Sequence, residues 1–135
     1  MRSSLSLGFL GRFGRSPALR EFDGALRSVD LHPNLVPEAV KLTAVRLLMD
    51  ETPRGDPGTQ ANRAAAEIVA YCMTGAEAFA GANGPQLAED VERRIDAALL
   101  AGSSRDAKLV LLMLHAKAIQ QSVVDHFGLE SDTAD

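Results

Sequence analysis

The chain has 135 residues, a formal charge of −4, a single cysteine and no tryptophan. That length fits one domain with a real core. One cysteine excludes an internal disulfide and fits a reducing, cytoplasmic setting, and no apolar run reaches the roughly 18 residues of a membrane span. The charge is uneven: residues 1–20 hold four arginines and no acid, so the remainder must carry −8 to bring the total to −4. An acidic body excludes nucleic acid as a natural partner, because phosphate contacts require a basic face.

Residues 1–15 read as an N-terminal arm. Gly8, Gly11 and Gly14 recur every third residue, and each costs a helix about 1 kcal/mol. Yet Leu5, Leu7, Phe9, Leu10 and Phe13 make the arm too apolar to idle in water. We therefore expect Phe9 and Phe13 to dock on the body, a second subunit or a partner, with Arg12 and Arg15 turned outward. These four are the candidate interaction residues.

Residues 16–129 read as one helical domain. Ser16-Pro17 opens the first helix as N-cap and first-turn proline, with Leu19, Phe22, Leu26 and Val29 on one stripe and Asp23–Arg27 as an outward pair. A second helix runs from near Pro37 to Asp50, apolar on two sides, with Glu38, Lys41 and Arg46 expected in water. Residues 52–58 form a Pro- and Gly-rich loop. The third helix covers Thr59 to Met73, its alanines inviting close approach, and a short helix spans Ala76 to Ala82. The fifth, Pro85 to Gly102, is the most regular. Leu87, Val91, Ile95, Ala98 and Leu99 should face inward, and Glu89–Arg93 and Asp90–Arg94 should pair in water beside a solvated Glu92.

The stretch from Ser104 to Ile119 is expected to be the central helix. Leu109 to Leu114 are six apolar residues in a row, which on a helix leaves no polar side; Leu111 should therefore be a core position. A last short helix, Val123 to Phe127 capped by Ser122, precedes an acidic tail of residues 130–135. The fold expected is all-α, a single bundle of five main helices and one or two short ones, with the N-terminal arm.

Chemical motifs are sparse. His32, His115 and His126 form neither H-x-x-x-H nor H-E-x-x-H, so no local metal clip exists and neither metal nor cofactor is expected. Cys72 sits on an apolar helix face between Tyr71 and Met73, where a thiol packs rather than reacts. No G-x-S-x-G is present. The leading expectation is a non-catalytic interaction or adaptor protein that binds a partner or itself. The alternative is a small-ligand or metal-binding enzyme with a site assembled from scattered residues around His115.

The phrases FGRSPALREFDGALRSVDLHPNLVPEAVKL (Phe13 to Leu42) and SVVDHFGLE (Ser122 to Glu130) resemble a small family of uncharacterised bacterial all-helical proteins. The resemblance implies a cytoplasmic bacterial protein and brings no activity, ligand or catalytic residue.

Overall fold

A computed structural model describes residues 16–52 and 55–129. These residues form seven α-helices: α1 Pro17–Ser28, α2 Glu38–Asp50, α3 Gly58–Thr74, α4 Ala76–Asn83, α5 Pro85–Ala101, α6 Arg105–His115 and α7 Gln121–Phe127. A 3-10 turn, Pro33–Leu35, lies between α1 and α2. Among the described residues there is no strand, and no helix is long and apolar enough to cross a membrane. The architecture is all-α, with five main helices and two short ones.

The helix starts follow local chemistry. Ser16 Oγ accepts from Leu19 N at 3.3 Å and Ser104 Oγ from Ala107 N at 3.1 Å, each satisfying a donor that the first turn leaves without a partner. Gly75 and Gly84 each end one helix and begin the next, with φ of 94° and 98°. That left-handed region is where glycine alone carries no steric cost, so single residues suffice as joints on either side of α4. Two other helix ends also take a positive φ, without glycine. Asp30 and Lys117 have φ of 66° and 58°. Leu31 N donates to Leu26 O and Ala118 N to Met113 O, both at 3.0 Å. These are Schellman caps built on a residue that is strained there. The second stops α6 at His115, before the expected Ile119, and no glycine marks it.

The centre of the bundle is α3, not α6. It packs against α1, α2, α4, α5 and α6. It also buries the most residues: Asn62, Ala65, Ala66, Ile68, Val69, Ala70, Tyr71 and Cys72. Alanine decides this. A helix with little side-chain bulk lets neighbours approach from several directions, and ridges of larger residues on α1 and α6 fill the space. On α6, by contrast, Ala107, Leu109, Val110 and Met113 are buried while Leu111 is 48% exposed. A wholly apolar run does not require a wholly buried helix, since much of any protein surface is apolar.

The C-terminal end of α3 receives α7. Gln120 donates from its backbone N to Cys72 O at 2.8 Å and from Nε2 to Met73 O at 2.9 Å, satisfying carbonyls the helix end leaves open. Gln120, rather than the expected Ser122, is therefore the residue that starts α7, and it does so without a side-chain cap. Asn83 Nδ2 donates to Val29 O at 3.1 Å, tying the end of α4 to the end of α1.

Candidate functional site

The most connected polar cluster lies where α3, α5 and α6 meet. The expected surface pairs of Glu89 with Arg93 and Asp90 with Arg94 do not form. Arg94 turns inward instead. Its Nη1 donates to Glu67 Oε1 at 2.9 Å, and its Nη2 to Ala64 O at 2.8 Å and Asp106 Oδ1 at 2.9 Å. Its Nε reaches Asp106 Oδ2 at 3.1 Å. The fork of the guanidinium suits a bidentate carboxylate, so it binds three helices together with one side chain. Burial works against its charge, but Asp106, then Glu67, outweighs that and holds its pKa above the ordinary value. Arg93 pairs with Asp90 one turn back, and Arg63 Nε lies 3.5 Å from Glu67 Oε2.

An open cleft of about 470 Å³ runs beside this cluster, lined by Glu67, Leu87, Asp90, Arg93, Arg94 and Ala97. Each charge there is matched within the cluster. The cleft therefore presents no net charge to an anion or a cation, and the chemistry left to it is structural.

A second polar pair is buried between α1 and α2. Lys41 Nζ lies 3.2 Å from Asp23 Oδ1, and the two side chains are 4% and 11% exposed. Neither an outward Lys41 nor an outward Asp23–Arg27 pair is found. Three-residue spacing places Lys41 and Ala44 on the same face of α2, and Ala44 is fully buried, so the lysine is drawn inward with it.

A cavity of about 280 Å³, less open than the cleft, is lined by Tyr71, Ala76, Glu77, Ser122, Val123 and His126. Tyr71 comes from the centre of α3 and is fully buried. Its rings pack edge-on with Phe79 and Phe127, at centroid distances of 5.6 and 6.2 Å. Its hydroxyl donates to Glu92 Oε2 at 2.7 Å. Glu92 is thus a partner for a buried donor rather than an idle surface acid. Burial, then the bond to Glu92, raises the Tyr71 pKa well above its ordinary value, so the phenol stays protonated and is no base. Ser122 and His126 sit four residues apart on α7, but no hydrogen bond joins them, so neither activates the other. Cys72, the next residue on α3, is also buried, and burial pushes its thiol up to about 12, which removes the thiolate that reactivity requires.

The remaining candidates are dispersed. His115 ends α6 and is exposed, and it lines none of the cavities just described. His32 Nδ1 accepts from Asn34 N at 3.1 Å and serves the 3-10 turn. Among the described residues no three His, Cys, Asp or Glu side chains are grouped as a metal would need. Phe9, Arg12, Phe13 and Arg15, like the acidic tail, lie outside the described residues. No family model, no curated protein and no solved structure matches the chain.

Proposed function

We propose that the protein is a non-catalytic interaction protein, an adaptor or a self-associating subunit, with Phe9, Arg12, Phe13 and Arg15 of the arm carrying the contact. One observation supports this reading above others. The body spends its buried ionisable groups on joining helices, yet leaves Leu42, Met49, Leu99, Leu100 and Leu111 exposed. Apolar side chains kept in water forgo burial energy, and a contact surface is the economical use for them. A cytoplasmic bacterial setting suits the lone reduced cysteine.

A second reading, a binder of a small ligand, is favoured by the cavity between Tyr71 and His126 rather than by His115. The two are separated by affinity capture from the native cell, using the full chain and a chain lacking residues 1–14 as baits. The interaction reading expects a partner, or a second copy, on the first bait only. The same set of proteins on both baits, or none on either, refutes it.

A further inference from the structure

We propose that α7 is a hinged lid, which swings off the cavity between Tyr71 and His126 as one unit, about Gln120, while the other helices stay folded. Such a motion involves neither the arm nor any partner that the arm binds.

The cavity is closed from opposite sides by different parts of the chain. Tyr71, Ala76 and Glu77 come from α3 and α4, which run into each other through Gly75, whereas Ser122, Val123 and His126 all come from α7. Displacing α7 therefore removes a whole wall. Opening the cavity and moving the helix are one event.

The attachment of α7 is one-sided. Gln120 pins the near end through its bonds to Cys72 O and Met73 O. Ser122 lies close by: a Cβ added to Gly75 would stand 3.5 Å from its Oγ and 3.8 Å from Gln120 Cγ. Beyond Gln120 the hydrogen bonds stay local. Gln121 Nε2 donates to Asp125 Oδ1 at 3.0 Å, Gly128 N to Asp125 O at 3.3 Å and Leu129 N to Val124 O at 2.9 Å. Among the described residues, no hydrogen bond or ion pair joins residues 121–129 to another helix.

The apolar hold is small as well. Val123 is the one fully buried residue of α7. Phe127 and Leu129 are half-buried, and the Phe127 ring meets Tyr71 edge-on. By contrast α1, α2, α3, α5 and α6 each bury several residues. The short helix α4 buries only Phe79, but it is joined to α3 and α5 at its two ends and tied by Asn83 to Val29 O. Elements held by few buried apolar contacts open at a fraction of the global free energy, and lids are drawn from them. Seven helical residues span roughly 10 Å, so rotation about Gln120 carries His126 and Phe127 away from Tyr71.

The test is native-state hydrogen exchange of the full chain, read by NMR at rising urea below the unfolding transition. The proposal expects the amides from Val124 to Leu129 to share one opening with little urea dependence, at least about tenfold less protected than those of Ile68 to Tyr71. Gln120 N, at the hinge, should stay better protected than the amides beyond it. Protection that falls steadily toward Leu129 is fraying from the end and overturns the lid. Protection equal to that of α3 means that α7 opens only when everything unfolds, and overturns it too. Val123→Asp provides a second arm by holding the lid open. It should keep the α3 amides protected while acrylamide quenches the emission of Tyr71, the only tyrosine, severalfold more strongly. Unfolding of the whole chain in this variant, or unchanged quenching, would overturn the proposal.

Discussion

Glu92→Ala and Leu111→Ala reverse the ranking that the sequence suggests. Tyr71 is fully buried, and the Glu92 carboxylate is the acceptor for its hydroxyl at 2.7 Å. Removing that acceptor leaves a buried donor without a partner, which costs about 1–3 kcal/mol. Glu92→Gln keeps an oxygen in reach and should cost less than about 1 kcal/mol. Leu111 is 48% exposed, so truncating it gives up only part of the 2–5 kcal/mol of a core leucine, about 1 kcal/mol. Urea unfolding followed by helical ellipticity measures all three. Tyr71 is the only tyrosine and the chain has no tryptophan, so its emission reports directly on this position. A greater loss for Leu111→Ala than for Glu92→Ala, or an unchanged Tyr71 emission in Glu92→Ala, would refute the reasoning.

Stability should fall at alkaline pH. The unfolded chain gives up the Cys72 and Tyr71 protons at about 8.5 and 10, while burial holds Cys72 up to about 12 and raises Tyr71 as well. Both contributions are therefore whole below about pH 8.5 and drain away as the pH rises, at about 1.4 kcal/mol per pH unit for each group. Urea midpoints that stay flat from pH 8 to 10.5 would contradict this. Asp23→Ala should cost less than the roughly 3–5 kcal/mol of a fully orphaned buried charge, because Lys41 keeps the more distant, exposed Glu38 carboxylate at 3.8 Å, and Asp23→Leu/Lys41→Met should recover most of the loss; thermal melts of the three proteins decide it. Lys117→Gly should raise stability by up to about 1 kcal/mol, because glycine relieves the positive φ of 58° at the end of α6. A loss in the same urea assay would count against the cap.

Much of the fold was legible because helices announce their ends locally. Ser16-Pro17, Ser104, Gly102 and the Gly75 and Gly84 joints all act within a few residues of themselves. The cap at Lys117 was not legible, since that residue carries no such signal. Side-chain partners were read less well. Arg94 and Asp23 each have a plausible neighbour on their own helix, and periodicity reports only that neighbour. Their actual choice depends on which helix lies opposite. The same limit misplaced the centre of the bundle: six apolar residues on α6 drew attention from α3, whose alanines matter through what they let approach. Tyr71 and Glu92 are 21 positions apart in the chain, on α3 and α5, and no spacing rule connects them.

The claim that the arm makes the functional contact is tested most directly by a variant that alters nothing else. Phe9→Ser/Phe13→Ser keeps the length of the arm and all its arginines and leaves the described helices untouched. Affinity capture from the native cell with this variant and with the unaltered chain, quantified by mass spectrometry, compares the two. The account predicts a partner or second copy enriched on the unaltered chain and lost from the variant. Equal recovery on both baits would contradict it.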